Sequence, residues 1–108
     1  MSAASKARRM MPDMEITVFE KTGYVSYGSC GLPYFIAGYI KNPEDLLAYP
    51  IDFFRNKRNI DVRIRHLVKK IIPLESKIIV EDLEQNKTKD YKYDKLVIST
   101  GASASVPP

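Results

Sequence analysis

Tryptophan is missing from this 108-residue sequence, and cysteine occurs once, at Cys30. A single thiol excludes an internal disulfide, so nothing points to a disulfide-stapled exported scaffold, and a reducing cytoplasm is the expected setting. No apolar run approaches the ~18–20 residues that cross a bilayer. No charged, apolar and small-residue succession marks a secretory signal. Low-complexity tracts and internal repeats are absent. Glycine is scarce, at Gly23, Gly28, Gly31, Gly38 and Gly101, with none near the start. The formal charge is +4, with basic residues grouped as Lys6, Arg8 and Arg9, as Arg55, Lys57 and Arg58, and as Arg63, Arg65, Lys69 and Lys70. Interspersed acids and the lack of a nucleic-acid signature argue against nucleic acid as a partner, and nothing suggests a membrane. Most of this charge reads as solvated surface, with a local phosphate site left open.

What is present suits one small α/β domain. "SAASKARRMM", Ser2–Met11, has good helix formers and no β-branched residue, which predicts a helix stopped by Pro12-Asp13. "EITVFE", Glu15–Glu20, predicts a short buried strand. A loop from Lys21 to Ser29 leads into an apolar helix, Gly31–Ile40, ending near Asn42-Pro43. A further helix starts at Pro50 and runs through "IDFFRNKRN", with proline suited to the first turn. "IDVRIR" alternates as a half-exposed strand does. "LVKKIIPL", "KIIVEDL" and "KTKDYKY" predict an antiparallel meander, with "EQNK" as the turn between the last two. "DKLVISTG" predicts another buried strand. The first helix opens directly after Met1 with no cap and no strand feeding it, which predicts a missing beginning.

Cys30 sits in "SYGSCGLPYFI", Ser26–Ile36. A lone cysteine commonly serves as a small buried hydrophobe. Here it precedes a helix, whose free N–H groups favour a thiolate. Ser26, Ser29 and Gly31 around it are small enough to admit a planar ring or a substrate.

"ITVFEK", "SYGSCGLPYFI" and "YDKLVISTGASASVPP" occur in an order that resembles the flavin-dependent pyridine nucleotide-disulfide oxidoreductases. The similarity is to their single-cysteine branch: coenzyme A-disulfide reductase, NADH oxidase and persulfide or polysulfide reductase. "SAASKARRM" matches the helix after that family's glycine-rich loop. The resemblance implies a partial Rossmann-like FAD-binding domain over residues 1–108, three-layered, with a parallel sheet and an antiparallel meander. The first strand and the glycine loop that holds the FAD pyrophosphate are missing. The nicotinamide-binding and dimerisation domains are missing too, and the full-length parent is expected to be a homodimer.

The resemblance also assigns roles. Cys30 becomes the redox residue. With no second cysteine it cycles with an external sulfur or through a sulfenate; in the coenzyme A branch it forms a mixed disulfide with coenzyme A. NAD(P)H is the implied electron donor and FAD the carrier. Glu20, with Lys21 beside it, is implied to bind the adenosine ribose, and the backbone of Val68 to meet the adenine. Thr100 and Gly101 are implied to contact flavin. Ser2, Lys6 and Arg9 share a helix face and, with Ser26 and Ser29, are implied to bind coenzyme A. No metal site is expected, and His66 reads as a surface or strand residue. A non-catalytic remnant or interaction fragment, and an NADH oxidase with oxygen as acceptor, stay open as alternatives.

Overall fold

In the computed structural model, which describes every residue except Ala104, the helix-forming opening segment becomes α1, Ser2–Met10. Its N-cap position is Met1, without a side-chain cap, and no residue of the helix is buried. What fastens it is Arg8. The Arg8 guanidinium donates to the carbonyls of Arg58 (3.0 Å), Asn59 (2.7 Å) and Pro12. Those bonds tie the end of α1 to the turn that enters the second strand, where Asn59 takes a left-handed φ of 49°.

β1, Thr17–Glu20, pairs in parallel with β2, Asp61–Ile64, from Thr17↔Asp61 to Glu20↔Ile64. Parallel neighbours require a long crossover, and this one, residues 21–60, carries the cysteine segment. The sequence suggested a buried strand over Glu15–Glu20. Instead Thr17 is exposed and Val18, Phe19 and Glu20 are half-buried. The reason is that β1 has one strand neighbour only among the described residues, so its second edge has no ladder.

Under this pair lies a small core of Phe54, Ile60 and Val62, with Ala4, Val18, Ile51 and Phe53 packed against it. The helix expected from Pro50 is present as a wide π-type segment, Phe53–Lys57. Its loose winding carries Phe54 inward, while Phe53 stacks on Tyr49 at 4.6 Å.

The expected meander is present. β3, His66–Ile72, β4, Lys77–Asp82, and β5, Lys87–Lys92, form an antiparallel sheet in the order β3-β4-β5. Ile78 and Val80 of the central strand are its buried residues. The expected turn after β4 is fixed by Asp82, whose Oδ1 accepts the Glu84 and Gln85 N–H groups at 2.9 and 3.1 Å. A bulge interrupts β3 between Val68 and Lys70.

Two further expectations fail. The apolar helix over Gly31–Ile40 contracts to α2, Leu32–Ile36, preceded by one 3₁₀ turn, Ser29–Gly31. Gly38 stops it at φ 79°. Its N–H reaches Phe35 O at 3.0 Å and the Tyr39 N–H reaches Tyr34 O at 2.9 Å, the paired bonds of a Schellman ending. "DKLVISTG" forms no strand, and Val97 and Ile98 are exposed. A strand needs an edge to pair with, and no described strand pairs with this segment.

The surface reflects these open faces. It measures 8668 Å², against roughly 6,100 Å² for a compact monomer of 12.3 kDa. Tyr34, Ile36 and Tyr39 on and after α2 contribute to the excess.

Candidate functional site

Ligands of α/β proteins gather at the carboxyl ends of parallel strands. Here that end holds Glu20, the last residue of β1, and the loop that follows it. Glu20 Oε1 accepts the Thr22 N–H at 2.8 Å, so the carboxylate is oriented by its own loop. Lys21 beside it is exposed. The Thr22 carbonyl accepts the Arg65 N–H at 3.0 Å. Arg65, at φ 56°, is the single residue between β2 and β3. The exit of β1 is thereby tied to the corner from which the meander departs.

Val68 lies two residues into that departing strand, half-buried and paired with Val80. β3 is an edge of its sheet, and the bulge after Val68 leaves an extra residue outside the ladder. Edge position and bulge together leave main-chain groups free to meet a ligand.

Cys30 is exposed. Its loop is held in place from one side: the Gly28 N–H donates to Leu46 O at 2.7 Å, and the Ala48 N–H donates to Ser26 O at 3.0 Å. An antiparallel bridge joins Tyr27 to Leu47 between those bonds. The Gly31 N–H closes the turn on Gly28 O at 2.9 Å. Glycine at position 31 has a steric reason, because a Cβ there would stand 2.6 Å from Leu46 Cδ2. Within residues 1–108 Cys30 is not packed as a buried hydrophobe. The helix behind it is five residues long, a shorter dipole than a ten-residue helix would supply. Ser26 is half-buried, and Ser29 is exposed beside the thiol.

Ser2, Lys6 and Arg9 are exposed, one turn apart along α1. Arg8, adjacent in sequence, is spent on carbonyl oxygens, which leaves Lys6 and Arg9 as the outward cations of this helix. Thr100 and Gly101 are exposed and outside any strand; Gly101 has φ 69° and nothing within 4 Å of where a Cβ would sit. Ala104 lies outside the described residues.

Sequence reasoning passed over three supports: the Arg8 clamp, the Leu46–Ala48 strip behind the cysteine loop, and an Arg63–Tyr91 contact between the sheets. Arg63 Nη1 donates to Tyr91 Oη at 2.7 Å. Apart from the Arg8–Pro12 bond, each joins residues at least 18 apart in the chain, so none had a local signal. Among the described residues no helix is long and apolar enough to cross a membrane, and no three His, Cys, Asp or Glu side chains gather as metal ligands.

Known proteins share this arrangement. The chain is 38% identical over 104 residues to the coenzyme A disulfide reductase of Staphylococcus haemolyticus, covering 96% of this chain and 24% of that protein. It is 40% identical over 107 residues to the CoA-dependent NAD(P)H sulfur oxidoreductase of Pyrococcus furiosus, covering 99% and 23%. The structure of reduced Bacillus anthracis CoADR-RHD superposes with a TM-score of 0.95 at 35% identity, over 98% of this chain and 19% of that one. The chain thus spans about a quarter of the length of the curated relatives it matches. Residues 1–108 match the pyridine nucleotide-disulphide oxidoreductase family along their whole length, and the chain belongs to that family.

Proposed function

We propose that residues 1–108 are the cysteine-bearing part of an FAD-binding domain in a flavoprotein reductase. In this reading NAD(P)H supplies electrons, and the acceptor is coenzyme A disulfide or a related persulfide or polysulfide. The observation that carries the reading is Cys30, solvent-exposed on a loop pinned by the Leu46–Ala48 strip. The names of relatives, reductases of coenzyme A disulfide and of sulfur with coenzyme A, support the choice of acceptor.

The fit to FAD is uneven along the cofactor. Glu20, oriented by Thr22 at the end of β1, and the open main chain at Val68 suit an adenosine. Within residues 1–108 the glycines lie from Gly23 onward, and none of them is assigned to the pyrophosphate. When bound, FAD accepts hydride from NAD(P)H and passes electron pairs to sulfur. Thr100 and Gly101 are assigned to its neighbourhood on family resemblance.

The sulfur chemistry belongs to this chain. The Cys30 thiolate attacks one sulfur of coenzyme A disulfide; a Cys30–coenzyme A disulfide forms, and one coenzyme A thiolate leaves. Two electrons and one proton then cleave the mixed disulfide, restoring the Cys30 thiolate and releasing a second coenzyme A thiol. Small neighbours at Ser26, Ser29 and Gly31 keep the attack line open. Lys6 and Arg9 on the outer face of α1, with Ser2 at its start, take the coenzyme A phosphates, a pairing that ammonium and guanidinium groups both favour.

The test uses the chain itself. Incubated with coenzyme A disulfide, it should acquire one coenzyme A adduct on Cys30 by intact mass, several times faster than it acquires glutathione from glutathione disulfide. Cys30→Ser should acquire none. Equal rates with both disulfides would reduce Cys30 to an ordinary exposed thiol and overturn the assignment.

A further inference from the structure

The two sheets are covalently joined only through Arg65, between β2 and β3. At this corner the Arg65 N–H donates to Thr22 O at 3.0 Å and the Leu83 N–H to Arg65 O at 2.8 Å, and the Phe19 and His66 rings stand 6.2 Å apart. Beyond the corner, the polar side-chain contacts that cross between the sheets converge on Arg63. This residue pairs with Phe19 across β1 and β2. Its guanidinium lies 5.9 Å from the Phe19 ring centre and 5.1 Å from that of Tyr91 on β5. Nη1 donates to Tyr91 Oη at 2.7 Å, while Nε and Nη2 both hold Asp61 Oδ2 at 2.8 Å. Phe19 and Tyr91 are themselves 4.9 Å apart, tilted by 57°. One planar cation therefore grips its own strand through Asp61 and the far strand of the meander through Tyr91.

This brace is not burying a charge for stability. The Arg63 and Asp61 side chains are 35% and 47% exposed, a setting where an ion pair contributes little to folding. Its geometry has a different use. The adenosine reading requires Glu20, adjacent to Phe19 on β1, and Val68, on β3, to face one ligand, although they belong to separate sheets. We infer that Arg63, through Tyr91, is a positioning residue that fixes the meander against β1 so that Glu20 and Val68 address the same adenosine; this rests on the cofactor reading proposed above. The guanidinium suits the task because its fork is rigid and its flat face stacks on aromatic rings, whereas an ammonium offers neither.

Two measurements on the whole chain separate the brace from the site. Residual dipolar couplings of the wild type should fit both sheets to one alignment. In Arg63→Met they should require two, with Arg63→Lys close to Met and Tyr91→Phe intermediate, since the ring stays. A single shared alignment in Arg63→Met would overturn the inference, whatever ligands do. Adenosine diphosphate is then titrated while the amides of residues 20–22 and 68–70 are followed. In the wild type both groups should shift with one common dissociation constant. In Arg63→Met that constant should rise roughly tenfold, equivalent to about 1.4 kcal/mol, with the two groups no longer titrating together. Sheets that reorient with unchanged adenosine affinity would leave Arg63 structural and sink the positioning role. A wild type in which neither group shifts would overturn the Glu20 and Val68 assignments and the inference with them; the dipolar couplings would still report whether the brace exists.

Discussion

The cysteine segment, residues 21–48, contains no buried residue, whereas the meander from His66 to Lys92 is a continuous ladder around Ile78 and Val80. The first is built from turns that lean on one another; the second from strands adjacent in sequence. Order in the cysteine segment thus rests on a few main-chain bonds that fold it onto its own end, residues 46–48. Order in the meander is generated locally. Segments of low local stability commonly carry binding and chemistry, and here the exposed thiol sits on one.

That contrast can be broken most forcefully at the aromatic that underlies the first half. Phe54 is 3% exposed, and Phe54→Ala should cost about 3–5 kcal/mol. The loss should fall on α1, β1 and β2 while the meander keeps its slow amide exchange. Equal loss of protection in both halves, followed by hydrogen exchange, would show that they fold as one unit. In the wild type the same measurement should place slowest exchange in β4 and fastest exchange in residues 26–31.

Gly31→Ala probes how the cysteine loop is held. The new methyl would meet Leu46 Cδ2, an overpacking worth about 1–3 kcal/mol where neighbours cannot yield. Because a leucine tip can turn, the lower figure is expected, together with a displaced loop and slower adduct formation at Cys30. Unchanged kinetics would mean that the strip behind the loop does not govern access to the thiol.

Arg8→Met removes the carbonyl clamp and should cost about 1–2 kcal/mol, since hydrogen bonds from charged donors outweigh neutral ones. Fraying at the end of α1, read by amide exchange at residues 7–11, is the expected sign. An unfrayed helix would mean that its apolar contacts suffice.

The smallest effect concerns pH. Hydrogen bonds from the Gln85 and Glu84 N–H groups, helped by the charges of His66 and Lys87, hold the Asp82 carboxyl below the usual aspartate range. A depressed carboxyl contributes stability above its unfolded pKa, near pH ~4, and that contribution is lost as pH falls through the folded value. The turn after β4 should therefore loosen below about pH 4. Asp82→Asn should flatten that dependence; an identical acid profile in the variant would remove Asp82 as its cause.

Legibility in the sequence followed the same divide. Alternation in "IDVRIR" and the short apolar runs of "LVKKIIPL" and "KIIVEDL", with "EQNK" as a turn, are local signals, so β2, the meander strands and their turn emerged near their observed bounds. α1 emerged for the same reason, from helix propensity alone. "KLVIST" has equally strong strand character, yet no strand formed, because pairing depends on an edge that residue preferences do not reveal. The length of α2 was misjudged because Gly38 could be read as a tolerated interior glycine, while two hydrogen bonds make it an ending. For the site, residue type and order singled out Cys30 and Glu20 as candidates, and both are accessible in the folded chain. Arg63 and Arg8 looked like solvated charge, and only the folded chain gives them partners.

The 2.6 Å approach at Gly31 also links two positions that lie 15 residues apart. They share one volume, so a side chain can grow at position 31 only if the one at position 46 shrinks. Randomising both in a library selected for adduct formation at Cys30 should return them as correlated pairs: glycine with leucine, alanine with valine or alanine. Independent variation at the two positions would show that the volume is not shared.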